Sequence, residues 1–167
     1  MGQCRACAHS QGRYAVSTES LKDTTVTPVI GKPPSKVVVT WDGEHRFDGE
    51  RASGGPSIRM DASGKTGPSP VDTLLIALAG CTGVDVVDIL AKRRTPVEDL
   101  RVEVEGERFA GVPGRVTKIH LIYHVKGAGI DAVHAERAIE LAVTKYCSVR
   151  DSLDPNMPVT WELRLTA

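Results

Sequence analysis

The chain of 167 residues carries 21 Lys and Arg against 21 Asp and Glu, so its formal net charge at neutral pH is zero. That balance, with no basic run interleaved with aromatics, argues against a broad nucleic-acid footprint. Aromatic residues make up only 4% of the chain, so a single domain of this size must build its core from Val, Ile, Leu and Ala.

Residues 1–35 are polar and turn-rich, with Pro28, Gly31, Pro33 and Pro34 and no sustained period. They read as an N-terminal extension, partly disordered, with one short strand around residues 13–17. The start, MGQCRACAHSQGR, has no apolar run, so no secretory signal is expected and the cytoplasm is the expected compartment. There thiols stay reduced and disulfides are transient and catalytic. Cys4, Cys7 and His9 have the spacing of half a zinc site, but no second pair of ligands matches them, so they read as exposed tail thiols.

From Lys36 the sequence becomes strand-like. Residues 36–41 (KVVVTW) are β-branched, Asp42-Gly43 signals a hairpin, and residues 45–50 return antiparallel. In residues 57–61 (SIRMD), Ile58 and Met60 share one face and Arg59 takes the other. After a flexible connector, residues 70–94 read as a helix. Ser69 caps it, Pro70 suits its first position, Asp72 completes an approximate capping box, and Lys92, Arg93 and Arg94 close it ahead of Pro96. At about 1.5 Å per residue it is long enough to span a bilayer, but Asp72, Asp85 and Asp88 argue for a core helix instead. Its apolar residues wrap most of the circumference, which predicts burial nearly all round.

Residues 100–107 and 116–126 alternate as strands, the second placing Lys118, His120, Ile122 and His124 on one face. A second helix is expected over residues 131–153, and residues 158–166 end the chain as a strand. Three strands, helix, two strands, helix, strand is an α+β order rather than a doubly wound one. Residues 36–167 therefore read as one domain.

Cys81 and Cys147 each fall in the middle of an expected apolar helix. Buried cysteine often behaves as a small hydrophobe, so inert core thiols are one reading. Against it, Gly80 and Gly83 flank Cys81, each costing a helix interior about 1 kcal/mol relative to Ala. That cost is rational if another backbone or a small substrate must approach the sulfur. Asp85 and Asp88 also stand within about 40° of Cys81 around the helix, which suggests a small pocket, and helix-on-helix packing could bring the two thiols together. The residues alone leave redox chemistry and inert packing both open. The histidines His120, His124 and His134 show no ligand spacing beyond what alternation supplies, and no metal or cofactor is expected.

Gly67-Pro68-Ser69-Pro70, then Asp72-x-Leu74-Leu75 and Gly80-Cys81, joined to Lys145-Tyr146-Cys147-Ser148-Val149, resembles the OsmC/Ohr family of cysteine peroxidases, in the OsmC-like branch with a Pro-Ser-Pro helix start. The match runs from Lys36 to the C-terminus. It implies an OsmC-like fold: two antiparallel three-stranded units around two core helices, intertwined as a homodimer. The implied reaction reduces organic hydroperoxides, and hydrogen peroxide less well. Cys81 would be the attacking thiolate that becomes a sulfenic acid, Cys147 the resolving thiol that forms the disulfide, and a dithiol reductant, lipoyl-type or small, would restore both. Cys81 lies too deep in its helix for the N-terminal dipole to favour a thiolate. The resemblance assigns that task to a strand arginine, here Arg59, with Arg46 a weaker candidate. One departure stands out: the glutamate that family members often carry after the helix-starting proline is Val71 here. That motivates the alternative of a non-catalytic, redox-responsive or small-ligand-binding dimer.

Overall fold

In a computed structural model, residues 31–166 are described. Cys4, Cys7, His9, the strand expected at residues 13–17 and all but the last few residues of the N-terminal extension lie outside them. From Lys36 the chain forms an antiparallel meander, β1 (Val37–Trp41), β2 (Arg46–Arg51) and β3 (Ile58–Asp61), in that spatial order. Gly43 (φ 81°) and Glu44 (φ 48°) take left-handed backbone at the β1–β2 turn, a conformation that Gly adopts without a steric penalty. The pairing puts Val37, Val39, Trp41, Phe47, Ile58 and Met60 on one face and Thr40, Asp48, Arg59 and Asp61 on the other.

Asp61 ends β3 and anchors the connector. It is only 2% exposed, and its carboxylate accepts hydrogen bonds from Ser63 N (2.8 Å), Ser63 Oγ (2.6 Å), Thr66 N (3.0 Å) and Thr66 Oγ1 (2.9 Å). These bonds, the Ser63 hydroxyl first, hold its carboxyl well below the usual carboxylate range. The connector then folds back along β3. At Gly67 a Cβ would lie 2.6 Å from the Arg59 carbonyl oxygen, so a side chain there is excluded.

That path delivers Ser69 to the start of α1 (Pro70–Lys92). The expected capping box is present: Asp72 N donates to Ser69 Oγ, and Ser69 N donates to the Asp72 carboxylate. Leu78, Thr82, Val86 and Leu90 recur every four residues as a fully buried ridge. On the opposite side Ile76 (55% exposed), Val84 (62%) and Val87 (38%) stand open. The expectation of all-round burial is thus corrected: among the described residues a sheet and a second helix cover one side of α1 and nothing covers its far side. By length and composition α1 could cross a membrane, but its ridge belongs to the domain core.

The second sheet contains β4 (Asp99–Arg108), β5 (Val116–Lys126) and β6 (Val159–Thr166), with β5 in the centre. β4 runs antiparallel to β5, whereas β6 runs parallel to it. This unit is therefore mixed rather than antiparallel, because the long connection holding α2 (Ala132–Leu141) returns the chain to the edge of β5 in the same direction. Parallel neighbours require such a crossover. On its inner face β5 presents Ile119, Leu121, Tyr123 and Val125, none more than 1% exposed. They pack with the α1 ridge and with Ala138 and Ile139 of α2 into one core. Gly106 in β4 gives Leu75 of α1 room to cross the sheet; a Cβ there would meet Leu75 Cδ1 at 2.9 Å.

One polar bond crosses this core. Tyr123 Oη donates to Thr82 Oγ1 (2.7 Å), which donates in turn to the Leu78 carbonyl (3.0 Å). Removing one partner of a buried pair leaves the other unsatisfied, at a cost of about 1–3 kcal/mol. Thr82→Val should destabilise the protein by that amount in urea unfolding, and Thr82→Val with Tyr123→Phe should be less destabilised than the sum of the single variants. Strict additivity would show that the bond does not tie helix to sheet.

Candidate functional site

Cys81 precedes Thr82 on α1, so the bond to Tyr123 fixes the stretch of helix that carries the sulfur. Cys81 is half-buried at the edge of the core, and Cys147 is 3% exposed within it. The second helix is not continuous, and this corrects the expectation of an unbroken helix over residues 131–153. α2 ends at Leu141, a π-helical turn spans Ala142–Tyr146, and a short α3 (Ser148–Asp151) follows. Cys147 N donates to Ala142 O (3.1 Å), the five-residue bond of a π turn. Cys147 itself is extended (φ −72°, ψ 104°), and its Sγ accepts from Arg150 N (3.3 Å), capping α3. It therefore occupies a break between helices rather than a helix interior.

Both cysteines are free thiols and interact with each other. Burial pushes the Cys147 thiol upward from its ordinary value; the Arg150 amide opposes that shift, and the hydrogen bond and charge of nearby Cys81 add to it. The pair is thus asymmetric: Cys147 is buried and held protonated, while Cys81 retains access to solvent.

Two clefts run along α1, and neither has Cys81 or Cys147 in its lining. One, of about 490 Å³, lies between α1 and β4 and is lined by Leu75, Ile76, Ala79, Gly80, Leu100 and Val102 among others. Its walls are largely aliphatic. Among the described residues a Cβ on Gly80 would meet nothing within 4 Å, and one on Gly83 would make an ordinary contact with Leu100. Packing among those residues thus demands neither glycine, and Gly80 opens onto the exposed side of α1. The other cleft, of about 420 Å³, runs between α1 and α2 and includes Asp85, Asp88 and Tyr146 in its lining. Asp85 and Asp88 thus border a pocket, but Cys81 is not in its lining.

Arg59 stands directly opposite Asp48 in the β2–β3 register. Its Nε and Nη2 donate to the two Asp48 carboxylate oxygens at 2.5 and 2.7 Å, and Nη2 also lies 3.0 Å from Asp42. The guanidinium hydrogen bond holds the Asp48 carboxyl below its usual range. Among the described residues its polar contacts do not include Cys81. Arg46 is used locally, bonding Glu44 (2.6 Å) and the Asp42 carbonyl (3.2 Å) at the β1–β2 turn. Asp72 is consumed by the capping box.

On the outer face of the second sheet His124 Nε2 lies 3.1 Å from Glu103, and His120 Nδ1 is 2.8 Å from Thr160 Oγ1. His134 pairs with Asp131 at the start of α2. No three His, Cys, Asp or Glu side chains among the described residues converge as metal ligands. Sequence reasoning missed Thr82, Tyr123 and Asp48. A lone tyrosine on an aliphatic strand face and a threonine in an apolar helix were available signals, as was the hairpin register that sets Asp48 against Arg59.

Residues 62–162 match the family model described as OsmC-like protein. Protein YhfA of Escherichia coli (strain K12) is 36% identical over 129 residues, covering 77% of this chain and 96% of its own length. A crystal structure of a hypothetical protein from Aquifex aeolicus superposes with a TM-score of 0.69 at 26% identity, covering 81% of this chain and all of the other. The organic hydroperoxide resistance protein OhrB of Bacillus subtilis superposes at 0.55 with 19% identity, covering 78% and 98%. That last likeness is one of fold.

The buried neutral acids Cys147 and Tyr123 set a pH limit on the fold. Burial pushes Tyr123 up to about 12, with the Thr82 hydroxyl opposing and Cys147 adding to the shift, and the Cys147 thiol is raised as well. As pH rises, the unfolded chain loses these protons first, so native-state stability falls from about pH 9, where an unfolded thiol ionises, through the folded values. The melting temperature should decline across pH 9–12, and Tyr123→Phe should flatten the part of that slope above about pH 10. An unchanged slope in the variant would remove Tyr123 as a cause.

Proposed function

Because the chain belongs to the OsmC-like protein family, we propose that it is a thiol-dependent peroxidase that reduces organic hydroperoxides, and hydrogen peroxide less well. The observation that carries this reading is the asymmetric thiol pair. An accessible Cys81 sits against a buried, protonated Cys147 in a chain whose only other cysteines are Cys4 and Cys7. As a thiolate, Cys81 attacks one peroxide oxygen, the O–O bond breaks, and the departing alkoxide takes a proton to leave as alcohol. Cys81 is then a sulfenic acid. The Cys147 sulfur attacks it, hydroxide leaves with the thiol proton as water, and the Cys81–Cys147 disulfide remains. A dithiol reductant returns both thiols by exchange. The aliphatic cleft beside Gly80 suits an organic substituent on the peroxide.

Arg59 is the cation assigned to this site. Position 71 is Val, but Asp48 supplies a carboxylate from the facing strand and holds the guanidinium by two hydrogen bonds. Such a fork sets orientation as well as charge. The cytoplasm, with its pool of reduced thiols, is the compartment in which this cycle would turn over. A second reading, a non-catalytic redox-responsive or small-ligand-binding dimer, draws on one observation: the bonds of Arg59 run to Asp48 and Asp42 rather than to Cys81.

Stopped-flow mixing of the reduced protein with cumene hydroperoxide separates the two readings. Rapid consumption, abolished in Cys81→Ser and accompanied by a Cys81–Cys147 disulfide in peptide mass spectra, is the expected result. In Cys147→Ser the sulfenic acid should form but persist. Equal consumption by Cys81→Ser would remove the mechanism, and slow oxidation without turnover would favour the second reading.

The active form is proposed to be an intertwined homodimer. Two apolar surfaces stand open on one chain, the β1–β3 face bearing Val37 (70% exposed), Val39 (54%) and Trp41 (64%), and the α1 stripe of Ile76, Val84 and Val87. Exposed apolar area of this extent marks an interaction surface. Sedimentation velocity should give twice the chain mass of 17.9 kDa, and Val84→Asp should shift the protein toward monomer or loss of fold. A stable wild-type monomer at micromolar concentration would overturn the dimer.

A further inference from the structure

A separate cleft of about 330 Å³ opens directly onto Cys147, with Lys145, Arg150, Asp151 and Pro155 among its lining residues. Cys81 is not in that lining, and neither is any residue of α1. Arg150 spends its hydrogen bonds on neutral acceptors, the carbonyls of Asp154 (3.3 Å) and Met157 (3.1 Å), and Lys145 lies 5.3 Å from the Tyr146 ring centroid. Among the described residues neither cation forms an ion pair. Two uncompensated cations against the single carboxylate of Asp151 leave the mouth electropositive. The volume is at the small end of ligand clefts.

We propose that this cleft is the docking site of the reductant, a small dithiol bearing an anionic group, and that the reductant attacks the disulfide at Cys147 rather than at Cys81. The inference rests on the thiol-pair reading above but not on peroxide as the oxidant. In the first step a reductant thiolate bonds to the Cys147 sulfur, the S–S bond breaks, and Cys81 leaves as a thiolate. In the second, the other thiol of the reductant gives up its proton and attacks its own sulfur in the mixed disulfide. Cys147 departs and takes up a proton, and the reductant leaves as a cyclic disulfide. Two electrons pass from the dithiol to the cysteine pair. The direction agrees with leaving-group chemistry: a thiol whose pKa is raised leaves slowly, so expulsion of Cys81 is the easier exchange. It also returns Cys81 directly in its nucleophilic form. Peroxide then reaches Cys81 from its solvent-accessible side, and the reductant enters through the cationic cleft at Cys147.

The test oxidises the protein with diamide, which forms a disulfide whether or not the protein reacts with peroxide. It then adds a monothiol, 2-mercaptoethanesulfonate, 2-mercaptoethanol or cysteamine, compared at equal thiolate concentration and low ionic strength. Early quenching with iodoacetamide and peptide mass spectrometry should find the monothiol on Cys147 and the alkyl group on Cys81. The sulfonate should react about three- to tenfold faster than the alcohol and the amine more slowly, a steering effect that added salt removes. Lys145→Gln should shrink this ordering and Lys145→Glu reverse it; Lys145 is exposed, so both variants retain the fold. Adducts on Cys81, rates independent of thiol charge, an ordering unmoved by Lys145→Glu, or failure of diamide to join the two cysteines would each overturn the proposal. The expected adducts in a protein inert to peroxide would remove the peroxidase reading and leave this docking site standing.

Discussion

The seam between α1 and β5 is the constraint on which the rest of this molecule depends. Leu78, Thr82, Val86 and Leu90 form one buried ridge, and Tyr123 reaches across from the strand to hydrogen-bond Thr82 at 2.7 Å. Hydrophobic contact alone is non-directional and would tolerate a helix rotated or slid by a fraction of a turn. A single satisfied polar pair in an otherwise aliphatic core penalises those alternatives, because any other register strands a hydroxyl away from water. The register that satisfies Tyr123 is also the one that sets Cys81 beside Cys147.

The same seam leaves the far side of α1 and the apolar face of the β1–β3 meander exposed among the described residues. Burial elsewhere is dense: four consecutive inward positions of β5 are 1% exposed or less. The molecule thus combines a well-packed half with a half whose apolar residues remain in water. Each large aliphatic side chain that moves from water into contact contributes about 1.5–3 kcal/mol, so covering Ile76, Val84 and Val87 would add to stability. Gly80 belongs to this side. Its missing side chain answers to no contact among the described residues.

Much of this was legible in the sequence because the elements carry strong local signals. The Ser69–Asp72 capping box, the alternation along β5 and the Asp42-Gly43 turn each identify an element from a few residues. Pairing direction was less accessible. Nothing within residues 159–166 distinguishes a parallel from an antiparallel edge strand, since both present the same alternation; only the crossover through α2 decides it. The break at Cys147 was hidden for a different reason. No Gly or Pro interrupts residues 132–151, so composition favours an unbroken helix, and the interruption is a matter of tertiary packing. All-round burial of α1 does not hold among the described residues, because an apolar circumference read from sequence does not say what is available to cover it. At the site, both core cysteines were identifiable, whereas the Asp48 partner of Arg59 required the hairpin register.

The π turn at Ala142–Tyr146 has an evolutionary corollary. A wide turn holds one more residue than an α-helical turn, and each residue advances the helix by about 100°. A descendant that lost a single residue between Ala142 and Tyr146 could close the turn as ordinary α-helix and keep both cysteines, both sheets and the cap on α1. Because the wide turn already absorbs the extra residue, its second cysteine would keep roughly its direction around the helix axis. The spacing of the two cysteines along the chain can thus change by one residue with little change in where either sulfur points. An alignment that demands a fixed spacing between the two thiols would miss such a relative.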